Sequence, residues 1–180
     1  ARLHPEKGHR YLFEALALLR DKGVNAELYL VGAGAERELL ERLAAQLRLA
    51  ERIHFLGWRD DALAIIAAAN MIVHPSLQEA LPSAVIEALM LERPLVVTAV
   101  SGTQDIVGSN QHGIVVPPGD AAALCAGIEW TINNLAEAER RARLGHLYLL
   151  EYMDARRVAD AYLCCYAKVL RTQPNSRLRN

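Results

Sequence analysis

The sequence has no surplus of either charge, no apolar run of membrane length and no even set of cysteines. Twenty Lys and Arg against twenty-one Asp and Glu leave a net charge of −1. Bulk attraction to nucleic acid or to an anionic membrane is therefore not expected, and only a local basic cluster stays open. The longest apolar stretch, Ala62 to Ala69, stops at Asn70, far short of the roughly 20 residues a spanning helix needs. The opening residues lack the charged head, apolar middle and small-residue cleavage site of a secretory signal. Cys125, Cys164 and Cys165 make an odd count, and the adjacent pair is poorly placed to bridge itself. Buried thiols in a reducing compartment are the expectation.

What is present has the proportions of a packed domain: 52% apolar and 23% charged residues in 180, too apolar for disorder and the size of one domain. Short apolar runs at Glu27–Val31, Ile53–Leu56, Met71–His74, Leu95–Thr98 and Gly113–Val116 read as strands covered on both faces. Between them, His9–Lys22, Ala35–Leu47, Asp61–Ala69 and Ser83–Leu91 have the length and periodicity of crossover helices. The alternation predicts an α/β fold, a Rossmann-like doubly wound parallel sheet.

After Pro117-Pro118-Gly119-Asp120 the strands cease. Three helices are predicted at Ala121–Asn133, Ala136–Leu149 and Ala155–Leu170, with Asp120 and Asp154 as caps of the first and last. Val158, Ala161, Tyr162, Cys165 and Val169 form a stripe on the final helix that should pack on something. Residues 1–170 are taken as the domain and residues 171–180 as a polar tail. The start, Ala1-Arg2-Leu3 and then His-Pro-Glu-Lys-Gly, reads as a strand end with its exit loop, so the chain is expected to be a fragment of something longer. No internal repeat or low-complexity segment is evident.

In an open α/β sheet the ligand crevice lies at the carboxyl ends of the strands. Val31-Gly-Ala-Gly-Ala-Glu-Arg37 invites a dinucleotide reading, but Arg37 takes the third glycine position and no ribose-binding acid closes the next strand. A nicotinamide domain is thus disfavoured, and a tight strand-to-helix turn explains Gly32 and Gly34 at least as well as ligand contact. The segment Pro75-Ser-Leu-Gln-Glu79-Ala-Leu-Pro82-Ser-Ala-Val-Ile-Glu87 is more informative. Pro82 suits a first helical position, leaving the amides of Ser83 and Ala84 free at a positive helix end. Glu79 and Glu87 would flank that anion site and accept from hydroxyls. Each could instead be a solvated acid, but Glu87 lies between Ile86 and Ala88 in an apolar helix, where an unpaired charge is costly. Arg2 and Lys7 bracket another strand-exit loop, where a guanidinium fork and an ammonium could hold a diphosphate without a metal. Taken alone, they would be solvated cations.

Taken in order, Arg2-Leu-(His-Pro-Glu)-Lys7-Gly, Leu30-Val-Gly-Ala-Gly, Ile53-His-Phe-Leu-Gly57, Pro75-Ser, Glu79-x₇-Glu87 and Gly113…Pro118-Gly-Asp120 resemble the C-terminal domain of family-4 retaining glycosyltransferases. That resemblance implies one half of a GT-B fold and a donor that is a UDP- or GDP-linked sugar. It implies that Arg2 and Lys7 hold the diphosphate and that Glu79 meets the sugar hydroxyls near the reacting carbon. Leu81, Ser83 and Ala84 would line sugar and phosphate, Glu87 would accept from the ribose, and the backbone near Arg59 would face the base. Gly32 and Gly34 join the donor-binding set.

The acceptor, a sugar or a lipid-linked sugar, would bind through an N-terminal domain outside this chain, so the fragment alone is expected to catalyse little. No separate cofactor and no metal is expected. A cytoplasmic setting is expected, with peripheral attachment at the inner membrane face open for the full-length parent. Polysaccharide or glycoconjugate synthesis is the implied process. Ala80 stands where the family usually has glycine, and Gln104-Asp105 where Pro-Glu is common. Ala80 keeps a non-catalytic binding module in play, and a nucleotide-sugar epimerase is a further alternative. His74, at a strand end before Pro75, is read as packing rather than catalysis, His112 as a turn residue beside Gly113, and Trp58 as surface packing at least as readily as a base-stacking residue.

Overall fold

The computed structural model describes residues 1–172. A 3₁₀ turn over Pro5–Lys7 leads into α1 (His9–Asp21), followed by β1 (Leu28–Val31), α2 (Arg37–Gln46), β2 (Ile53–Gly57), α3 (Ala62–Ala68) and β3 (Ile72–His74). Then come α4 (Ser83–Met90), β4 (Leu95–Thr98), α5 (Ser101–Val107), β5 (Ile114–Val116), α6 (Ala121–Asn133), α7 (Leu135–Tyr152) and α8 (Ala155–Thr172). All strand pairs are parallel, as the helical crossovers require. The fold is the expected α/β one.

The ladders fall into two groups, β1-β2 and β3-β4-β5. Residues 1–8 run between them. On one side Leu3 N–H donates to Ala33 O at 3.0 Å, and Glu36 N–H donates to Leu3 O at 3.2 Å. On the other side Leu77 N–H donates to Glu6 O at 2.7 Å. β1 and β3 thus flank this segment with the sheet growing away in opposite directions, which is the switch-point geometry that opens a crevice at the strand ends.

β4 shows why the strands carry no polar alternation. Leu95 and Val97 face a core built with Val85, Leu89, Ile106, Val107 and Leu149, while Val96 faces the other core, with Leu3, Phe13, Leu30, Leu124 and Ile128. Successive side chains point to opposite faces, and both faces are covered, so every β4 residue is buried. Gly127 lets α6 lie close on this sheet: a Cβ there would meet Val96, Ile114 and Val116 side chains at 3.1–3.2 Å.

Asp120 caps α6 by accepting from Ala123 N–H at 2.9 Å, and Asp154 accepts from Arg157 N–H at 2.8 Å, both as expected. Helix α5 was not foreseen. Its seven residues include Gly102, and its start depends on Thr103, whose hydroxyl accepts from Val100 N–H and donates to Val100 O and Thr98 O. No apolar periodicity advertises such a turn.

One expectation fails in the C-terminal helices. Cys125 is buried, but Cys164 and Cys165 are exposed on α8, because residues 151–170 are exposed throughout. Of the stripe, Val158 and Tyr162 are 42% and 60% exposed. The tail from residue 173 lies outside them.

Candidate functional site

The loop after β3 is built from below by buried hydroxyls. Thr98 Oγ1 on β4 donates to the carbonyl of Ser76, with that of His74 at 3.3 Å, and Thr103 ties Thr98 in turn to the start of α5. Ser76 and Thr98 are fully buried. With its backbone so held, the loop turns Glu79 back over the end of β3.

The loop before α1 meets it from the other side. Gly8 has φ +65°, and a Cβ on it would lie 2.1 Å from Pro75 O. Only glycine allows that approach without displacement. It brings Lys7 within reach of a residue 72 positions away: Lys7 Nζ donates to Glu79 Oε1 at 2.7 Å. The side chains are 16% and 8% exposed. Ser76 Oγ and His74 Nε2 reach the same oxygen at 2.7 and 2.8 Å. Burial pushes the Glu79 carboxyl up, but the hydrogen bonds from Lys7 and Ser76 and the nearby positive charge outweigh it and hold the group below the usual carboxylate range. Burial likewise pushes the His74 imidazole down, further than Glu79 raises it.

His9 opens α1 directly behind this pair. It is 5% exposed, and its Nδ1 is buried without a hydrogen-bond partner. Burial, with His74 and Lys7 nearby, lowers its pKa to about 4.

The remaining sequence-predicted residues are not drawn into this cluster. Arg2 is 75% exposed and pairs with Glu6, four residues on, at 3.0 Å. Arg59 pairs with Asp61 at 2.6 Å beside Trp58, which is 81% exposed. Glu87 is half-buried on α4, and its side chain makes no hydrogen bond or ion pair among the described residues. Leu81 and Ser83 are exposed. Pro82 sits one position before the helix rather than in its first position. Its carbonyl accepts from Val85 and Ile86, leaving the Ser83 and Ala84 amides outside the helical ladder.

Gly32 and Gly34 are needed for chain approach. A Cβ would lie 1.8 Å from Ala1 O at the first and 2.2 Å from Leu3 O at the second. Gly102 serves the neighbouring loop in the same way, facing Ala80 O at 2.3 Å, while Ala80 itself is exposed. Sequence reading left His74 as packing and passed over the chemistry of Ser76. The signal that could have found them is their position, five and three residues before a carboxylate that must be buried.

Among the described residues, no group of three or more His, Cys, Asp or Glu is placed to hold a metal ion. No described helix is long and apolar enough to cross a membrane.

The family model for glycosyl transferases group 1 matches residues 1–146. The chain belongs to this family. Among curated relatives, the lipopolysaccharide core biosynthesis glycosyltransferase LpsE of Rhizobium meliloti is 34% identical over 157 residues, covering 87% of this chain and 45% of the relative. Among solved structures, the sucrose-phosphate synthase of Thermosynechococcus elongatus superposes with a TM-score of 0.83 at 29% identity, covering 96% of this chain and 45% of that one. Anabaena Alr3699/HepE, solved with UDP, gives a TM-score of 0.82 at 24% identity over 91% of this chain and 47% of that one. The glycosyltransferase chain therefore spans less than half the length of these relatives. Its fold is that of one GT-B half, a Rossmann-like domain.

Proposed function

We propose that this chain is the donor-binding half of a retaining glycosyltransferase that moves a sugar from a UDP- or GDP-linked donor to an acceptor hydroxyl. The observation that carries this is the Lys7–Glu79 pair, a buried cation and carboxylate 2.7 Å apart at the sheet's switch point. A diphosphate arriving there takes Lys7 as counter-ion, helped by Arg2 and the free amides of Ser83 and Ala84. The carboxylate so released accepts from hydroxyls of the donor sugar. Glu87, half-buried and unpaired, accepts from the ribose, and the exit loop at Arg59 meets the base. Gly32 and Gly34 keep the floor of the crevice close. The solved relative that carries UDP supports the nucleotide half of this reading.

In the transfer, the bond from the anomeric carbon to the leaving phosphate breaks, and the acceptor oxygen bonds to that carbon on the same face. The acceptor proton passes to a leaving-phosphate oxygen. Positive charge grows on the sugar ring and negative charge on the phosphate, so fixed cations beside the phosphate stabilise the transition state more than the ground state. The acceptor, a sugar or lipid-linked sugar, binds through the remainder of a longer parent. The exposed Val158 and Tyr162 of α8 support contact with that remainder. Polysaccharide or glycoconjugate synthesis in the cytoplasm is the setting this chemistry fits.

Calorimetric titration with UDP, GDP and ADP tests the reading. Selective binding of one nucleotide, lost in both Lys7→Ala and Glu87→Ala, is the expected result. Indifference of the wild type to all three would overturn it. An epimerase would betray itself in the full-length parent by inverting a carbon other than the anomeric one.

A further inference from the structure

Glu79 is held unevenly. Its Oε1 accepts from Lys7 Nζ, Ser76 Oγ and His74 Nε2 at 2.7, 2.7 and 2.8 Å. No described residue donates to its Oε2. An ionised carboxylate only accepts, so the His74 nitrogen that meets it must carry the proton, which fixes the tautomer as Nε2–H with Nδ1 bare.

The ring itself has little freedom. His74 is the last residue of β3, paired in register with Val97, is 6% exposed, and has its carbonyl 3.3 Å from Thr98 Oγ1. Ser76 is fully buried. Two donors fixed by the sheet thus grip one oxygen, and the third, Lys7, is the one that an incoming anion would draw away.

We propose that His74 is a positioning residue: with Ser76 it pins Oε1 of Glu79 after Lys7 turns to the phosphate, so that Oε2 is presented to a hydroxyl of the donor sugar. This rests on the donor-site reading above. A histidine donates this bond as a neutral group, so it does not compete with Lys7 for the role of counter-ion to the diphosphate. A third cation at position 74 would.

The consequence is specific to the sugar. Loss of the His74 bond should spare binding of the bare nucleotide and weaken only the added contribution of the sugar. The test is calorimetry on this chain with UDP and UDP-glucose, or with GDP and GDP-mannose if the wild type selects guanine. For wild type, His74→Phe, His74→Gln and Ser76→Ala, the measured quantity is the affinity ratio of sugar nucleotide to nucleotide.

His74→Phe should lower that ratio about tenfold, the loss expected for a hydrogen bond to a charged group, with the affinity for the bare nucleotide unchanged within about twofold. His74→Gln, whose amide nitrogen can take the place of Nε2, should recover most of the ratio. Ser76→Ala should lower it in the same direction, and it carries the test together with Gln if the Phe variant does not fold. An unchanged ratio in His74→Phe, or an equal loss for both ligands, overturns the positioning role while leaving the donor site standing. A wild type that binds neither nucleotide nor sugar nucleotide overturns both.

Discussion

Lys7 and Arg2 leave the same short loop and finish in opposite surroundings. Lys7 is mostly buried and meets a carboxylate 72 residues away, while Arg2 stands in solvent and pairs with a neighbour on its own turn. The same contrast divides the whole crevice. Its inner wall, from Gly8 through Lys7, His74, Ser76 and Glu79, is interlocked by long-range bonds. Its outer rim, with Arg2, Trp58 and Arg59, is held by pairs no more than four residues apart. Exposed local pairs contribute little to stability, so the rim is free to move onto a ligand. The wall is already in place in the structure.

The largest effect should come from breaking the wall at its closest approach. Gly8→Ala sets a methyl 2.1 Å from Pro75 O at a positive φ and should cost about 3–5 kcal/mol in urea unfolding. Lys7→Ala follows, leaving Glu79 buried without its cation. A loss of about 3 kcal/mol is expected, together with loss of nucleotide binding by calorimetry.

Acid should also act on the wall. His9 is neutral when folded, with a pKa of about 4, and takes up a proton near 6.5 when unfolded. The unfolded chain therefore binds more protons between these values, and stability should fall as pH drops from about 6.5 to about 4, by about 3 kcal/mol in all. Glu79, held below its ordinary value, adds a second loss at lower pH still, as it takes up its proton. His9→Leu should flatten the first window and, by removing a buried polar atom without a partner, raise stability at pH 7 by about 1 kcal/mol. Urea unfolding at a series of pH values reads both.

The smallest structural effects belong to the rim. Arg2→Ala and Arg59→Ala should leave stability within about 0.5 kcal/mol, yet Arg2→Ala should weaken nucleotide binding. A rim variant that unfolds the chain would erase the distinction between the two regions.

The elements that were legible in the sequence are those whose reasons are local. Strands such as Leu95–Thr98 announce themselves because both faces of the sheet are covered, and Asp120 because a cap is a four-residue matter. Helix α5 was hidden because its seven residues include Gly102 and carry no apolar periodicity, and its opening rests on Thr103 rather than on a usual cap residue before the helix. The same holds within the site. Lys7 and Glu79 could be named from residue type and order, but their contact could not, since it depends on Gly8 passing Pro75. His74 looked like a packing residue because the group that gives it a task arrives from the far end of its own loop. For α8 the periodicity correctly indicated a helix, on which Val158 and Tyr162 stay exposed.

The Lys7–Glu79 contact also sets an entry condition. Whatever draws the ammonium aside strands a carboxylate in a place with little water, and a lone inorganic anion offers nothing to console it. In the proposed donor site, a visitor that brings negative oxygens at one end and hydroxyls at the other would settle both halves at once, and the crevice would discriminate by requiring two features to arrive together.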